Sequence, residues 1–274
     1  NGLELALGYS NNWGGFGWSS NYTLSSNRNR INELVRNYVH PETGAIINKD
    51  RLDVGGLGNA HFILKEGGTL GDLYSLTDVK RDDKGYIYVD KDGKVYRNNN
   101  VGDVKLGSVF PKANMAWRND FSYKGFNLSV MVSARFGGIV YSATQAALDL
   151  YGVSESSAKA RDKGYVEVNG NDYLTPESWY STVGGSDGIP QYYTYSATNV
   201  RLQEASLSYT FKKNHFFGLG DLTLSVTGRN LLMFYCKAPF DPETTATTSN
   251  YYQGIDKFMT PSTRTIGFNI KLKF

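Results

Sequence analysis

Histidines, a cysteine and scattered carboxylates are the residues of this 274-residue chain that could do chemistry. His40, His61 and His215 are far apart and share no metal-ligand spacing, so loop solvation is their expected role. Cys236 is alone, so no disulfide forms within the chain. The GGLGNA stretch at 55–60 has the wrong glycine spacing for a dinucleotide fingerprint. VDKDGKV at 89–95 has the look of a calcium loop, but with Gly93 as the invariant glycine the first ligand falls on Tyr88. A hairpin fits better, with YIYV and KVYR flanking a turn at 90–93. No catalytic constellation emerges, so no enzyme activity, cofactor or metal is expected.

Binding chemistry is better represented. Trp179-Tyr180, Tyr192-Tyr193, Tyr195 and Tyr251-Tyr252 cluster in polar regions. Such rings stack on sugar faces while Asn, Asp and Arg take hydroxyls; packing between loops, or contact with a partner protein, is the plainer reading for each. Asp241 and Glu243 flank Pro242, which holds Asp241 extended. They are candidate ligand contacts, with a structural turn the favoured role. SATQAALDLYG reads as a short helix capped by Ser142.

The elements carrying these residues follow from period-two alternation. Apolar residues share one face in 3–9, 16–24, 115–123, 126–136, 199–211, 222–230 and the terminal run that includes Ile266, Phe268, Ile270, Leu272 and Phe274. In 199–211 the phase slips, which predicts a bulge near 203–205. The 30 glycines and 20 tyrosines, with abundant Ser, Asn and Thr, fit strands and turns. A net charge of +3, without clustering, gives no reason to expect a nucleic-acid partner. No stretch approaches the roughly 20 apolar residues of a membrane helix. An export signal is absent from the first residues and is expected upstream.

Connections between the strands alternate short and long, with long regions at about 35–110, 138–196 and 233–261. Strands of roughly 9–11 residues with that parity predict an all-β, transmembrane antiparallel β-barrel, turns periplasmic and loops extracellular. The chain is then expected to end in the periplasm. A soluble sandwich also alternates, but gives no reason for long loops at every second position. Trp18, Tyr22, Trp117, Tyr123, Tyr209, Phe211 and Phe274 are candidate interfacial girdles, or else core aromatics. Seven strands leave two edges, and unpaired edges in lipid cost several kcal/mol per group. Either a strand is unrecognised or other strands complete the ring.

At this point the residues resemble a family. NVRLQEASLSYTF, LTLSVTGRNLLMF, FDPET and STRTIGFNIKLKF, in order, resemble the C-terminal end of SusC/RagA-type TonB-dependent outer-membrane transporters. LGSVFPKANMAWRNDFSYKGFNLSVMVSARFGG and LELALGY…FGWSSNYTLSSNRNRINEL extend the likeness over nearly the whole chain. The sequence departs at FYCKAPF before Asp241, where the family more often has a Gly-aromatic pair. The resemblance implies a plugged barrel of about 22 strands, of which residues 1–274 supply about the last seven, with no plug domain in this chain. It further implies import of oligosaccharides or peptides, TonB-supplied energy, a SusD-like lipoprotein partner and a bacterial outer-membrane location. Phe268, Ile270, Leu272 and Phe274 would then be the assembly signal of the closing strand. The alternatives are a stand-alone barrel or adhesin without transport, and a soluble glycan-binding sandwich.

Overall fold

The computed structural model describes residues 1–212, 220–247 and 252–273. His215, Tyr251 and Phe274 lie outside them. Seven strands form one antiparallel sheet in chain order: β1 (Gly2–Trp13), β2 (Phe16–Asn27), β3 (Ala113–Tyr123), β4 (Phe126–Phe136), β5 (Asn199–Phe211), β6 (Asp221–Cys236) and β7 (Thr265–Lys273). All seven predicted strands are present.

Two-residue turns close the first two hairpins. Trp13 pairs with Phe16 across Gly14 and Gly15, both at positive φ, which suits the right-handed twist of the flanking strands. Tyr123 pairs with Phe126 across Lys124 and Gly125 in the same way. The predicted bulge is also present. Gln203 is skipped in the pairing of β5 with both neighbours, so Leu202 and Ala205 share a face despite their spacing.

Register decides which side chains share a face. One row runs Leu7, Tyr22, Trp117, Val132, Leu202, Leu232; another runs Trp18, Phe121, Leu128, Leu207, Val226, Phe268. This face is apolar and uncovered: Phe268 is 82% exposed and Ile270 74%. Its polar intruders are satisfied, since the Trp18 indole donates to Asn119 and the Trp117 indole to Ser20.

The opposite face is polar. One complete row is Ser10, Ser19, Asp120, Ser129, Ser206, Thr227 and Gly267; the next, nearer the turns, is Asn12, Gly17, Ser122, Asn127, Ser208, Ser225 and Asn269.

Aromatics gather at the short-turn end of the apolar face. Trp13, Phe16, Tyr123, Phe126 and Tyr209 form a row there, with Phe126 and Tyr209 rings 4.5 Å apart and Phe16 6.3 Å from Phe121. Tyr22 and Trp117 differ from the girdle expectation: they oppose each other about halfway along their strands.

The long connections, 28–112, 137–198 and 237–264, all leave from the other end of the sheet and fold together. Among the described residues they contribute small sheets, three α-helices and one core: Phe62, Leu73, Val109, Tyr141, Ile189 and Ile255 are all nearly or fully buried. Almost all the buried apolar residues belong to this loop domain; Ala134 is the barrel strands' one buried apolar residue among the described residues.

Two faces of opposite polarity predict opposite tolerance to charge. Val132→Arg, on the apolar face, should destabilise the sheet by about 2 kcal/mol or more in a bilayer, while Thr23→Arg, at similar height on the polar face, should be near neutral. Urea titration of the reconstituted protein reads the difference.

Candidate functional site

The loop domain and the polar face below it are where a ligand or partner would be met. Three helices build the second connection. α1 (Ala143–Leu150) begins at Ser142, whose Oγ accepts from the Gln145 N–H, as the sequence predicted. α2 (Glu155–Lys163) and α3 (Pro176–Val183) were not anticipated, though both carry start signals: Ser154 and Thr175 cap them, and Pro176 occupies the first turn of α3.

These elements are tied across connections. Ser142 Oγ also donates to Asp256 Oδ2 at 2.6 Å, joining the third connection to the second, where 141–142 pairs in parallel with Ile255–Asp256. Asn59, at a hairpin tip in the first connection, donates its side-chain amide to the carbonyls of Asp187 (2.8 Å) and Gly188 (2.9 Å). Gly58 beside it has φ +58, and a Cβ there would meet the Ser186 carbonyl at 1.9 Å, so only glycine permits this grip. Nothing in a single sequence marks Asn59 beyond its place in a glycine-rich turn.

The Asp-Pro-Glu stretch meets the Arg-Leu strand at the base of the loops. Arg201, on the polar face of β5 and 5% exposed in its side chain, forms a fork with Asp241: Nη1–Oδ2 3.0 Å and Nη2–Oδ1 2.7 Å. Its Nε donates to Asn199, whose amide reaches Glu243 at 3.2 Å. Burial works against the charge on Asp241, but the Arg201 guanidinium, the Ser262 hydroxyl and the Glu243 N–H together outweigh it and hold the carboxyl below the usual range. Asp241 therefore serves as a clamp; Glu243 is more exposed, 3.4 Å from Arg201.

The predicted aromatics fall into separate packing sets. Trp179 and Tyr180, on α3, pack on the core, and Trp179 meets Tyr192 edge-on at 5.0 Å. Tyr193 is 3% exposed, and burial, with Asp149 nearby, pushes its hydroxyl far up. Tyr195 packs edge-on against Phe240, and Tyr252 against Phe62. Phe268, Ile270 and Leu272 project from the apolar face of β7. The hairpin expected around 90–93 is corrected. The turn forms, but 78–81 lies between the two flanks, with Lys80 bonded to both Tyr88 and Tyr96. Asp90 Oδ1 accepts from the Asp92 and Lys94 N–H groups and Oδ2 from the Tyr96 hydroxyl, so both oxygens are spent on the turn.

A charge hub braces the first connection. Asp103 takes Arg51 through Nε (2.6 Å) and Nη2 (2.8 Å), and Lys65 at 2.8 Å. The Arg51 hydrogen bonds, helped by Lys65, hold its carboxyl well below the usual range.

No family model matches the chain. It is 23% identical over 287 residues to the TonB-dependent receptor P3 of Formosa agariphila, covering 94% of this chain and 27% of that protein. The structure is similar to the RagAB peptide importer in its closed-closed state (TM-score 0.67, 17% identity) and open-open state (0.65, 17%), covering 100% of this chain and 29% and 28% of those chains. The chain thus spans between a quarter and a third of the proteins it matches.

Two outcomes follow from the ion pairs. Asp241→Asn should leave Arg201 poorly compensated, costing about 3 kcal/mol locally; hydrogen exchange should rise in 237–247 and not in β1–β4, with Glu243→Gln doing less. Because the Asp103 carboxyl is lowered in the folded state, its contribution is full above the ordinary value of 3.8 and is lost only as pH falls below that range. Pepsin should therefore spare the first connection at pH 4, and Asp103→Asn should expose it there.

Sequence and structure together identify a mostly β chain whose fold matches part of the RagAB peptide importer and whose sequence is similar to part of a TonB-dependent receptor.

Proposed function

We propose that this chain supplies the C-terminal staves and outward-facing loops of an outer-membrane nutrient importer of the SusC type. The observation that carries the reading is an inversion of burial. The seven-stranded sheet exposes its apolar face, while ordinary buried cores are confined to the long connections. Water does not tolerate such a face over seven strands; hydrocarbon does. The edges β1 and β7 would be paired by other strands of the same ring, because unpaired backbone in lipid is costly.

In this reading the aromatic row at the short turns lies at the periplasmic interface and the three long connections face outward. The polar face lines the lumen, around a plug domain that lies elsewhere in the transporter and couples to a TonB complex. A SusD-like surface lipoprotein would meet the loop domain. The solute would be an oligosaccharide or a peptide; one of the similar structures is a peptide importer. Phe268, Ile270, Leu272 and Phe274 would form the closing strand's assembly signal. The chain's role is binding and enclosure, with no covalent chemistry.

Protease shaving of intact cells tests the orientation. Cleavage is expected within 28–112, 137–198 or 237–264 and not at the 14–15 or 124–125 turns, with the protein extracted from membranes only by detergent. Release into plain buffer as a monomer would refute the barrel. Loss of solute uptake on deleting the gene, matched by loss on removing TonB, tests the import step.

A further inference from the structure

The contacts of His61 call for more protons than a neutral imidazole carries. The strands Arg51–Leu57 and Ala60–Lys65 form a hairpin with Gly58 and Asn59 at its tip. His61, partly buried just past the tip, has Nδ1 3.0 and 2.9 Å from the two Asp53 carboxylate oxygens and Nε2 3.1 Å from the Gly58 carbonyl. Both partners only accept. A neutral imidazole has one N–H, so it donates to one side and turns a lone pair to the other; the imidazolium donates to both. Asp53 stays charged: burial opposes that, but the Gly55 N–H, His61 and Arg51 outweigh it and hold the carboxyl below the usual range.

The Gly58 carbonyl belongs to the turn that grips the second connection. Beside it, the Asn59 N–H donates to the Ser186 carbonyl at 3.1 Å and the Asn59 amide to Asp187 and Gly188. A neutral His61 keeps its one N–H on the charged Asp53, so a bare nitrogen faces the Gly58 carbonyl and the repulsion falls on the gripping turn. The surrounding charges are already engaged. Arg51, 3.7 Å from Asp53, and Lys65 both pair with Asp103. Tyr74, opposite His61 on the neighbouring strand, has Lys65 and Lys105 over its ring. The Tyr252 hydroxyl of the third connection reaches Gly55. On the second connection the titratable group is Asp187, whose carbonyl also accepts from Arg97. Arg97 and Thr77, which donates to the Gly188 carbonyl at 3.1 Å, hold 186–188 whatever the state of His61.

We propose that His61 is a proton-dependent fastener between the first and second connections: its imidazolium tightens the Asn59 grip on 186–188, and its neutral form loosens it. The inference stands on the geometry of the loop domain and is independent of the import reading. The charged form is the one that fits, so the fastener is closed below the ordinary histidine value of about 6.5 and opens as pH rises above it. His40 does not compete for this role, because it lies in the 35–49 hairpin and accepts from the Glu42 N–H there.

Hydrogen exchange of the full-length protein in lipid nanodiscs, corrected for the pH dependence of the chemical exchange rate, tests this between about pH 5.5 and pH 8. Protection of 57–61 and 185–189 should fall about threefold or more as pH rises, the scale of one weakened hydrogen bond. Protection of 139–142, joined to the third connection through Ser142 and Asp256, should stay constant. His61→Gln, neutral throughout, should abolish the pH dependence. Asp53→Asn removes the charge that favours the imidazolium, so it should move the midpoint of the change to lower pH. Wild-type protection that is flat over this range, or a fall that His61→Gln retains, overturns the fastener. Should His61→Gln fail to assemble, Asp53→Asn decides: a midpoint left where the wild type has it also overturns the proposal.

Discussion

Backbone hydrogen bonding between neighbouring strands is the constraint from which everything else here follows. In hydrocarbon each unpaired N–H or C=O costs several kcal/mol, so a spanning strand is tolerated only with a partner on each side. Within the ladder from β1 to β7 the five inner strands have a partner on each side, over long, mostly regular registers. Because paired residues share a face, the ladder also sorts side chains. Polarity along each strand becomes an apolar surface on one side and a hydrated surface on the other. The bulge at Gln203 keeps that sorting intact where the sequence slips phase.

Beyond the sheet the physics changes. The long connections behave as a water-soluble domain, with a shared apolar core and helices that begin at side-chain caps. The Arg201–Asp241 fork fixes the base of the third connection to the polar face of β5, and Arg135 of β4 donates to the Val109 carbonyl of the first. Ser142–Asp256 and Asn59 with 186–188 then join the connections to each other. Movement of any one connection would be felt by the others through these contacts.

The wall was largely legible in the sequence. Alternation gave all seven strands, and the phase slip placed a bulge near 203–205, where Gln203 is the residue skipped, because both are local consequences of which residues share the apolar face of a strand. The loops were much less legible. Their strands are short and their apolar residues irregularly spaced, since burial comes from contacts between connections far apart in the chain. Ser142 was readable as a cap because capping is local; its bond to Asp256 was not. The 90–93 turn was readable from Asp and Gly, but its flanks were assigned to each other when 78–81 in fact lies between them.

By itself, then, the sequence determined the two-faced strands and the alternation of short and long connections. Those properties are written in residue types at short spacing. Only the tertiary structure decided that Asp241 is held by Arg201, that Tyr193 is sealed within the loop core while Tyr252 packs against Phe62, and that two rows of short polar side chains line up across seven strands. Each of these depends on register or on packing between distant segments, and neither is fixed until the backbone ladder has set which residues stand opposite one another.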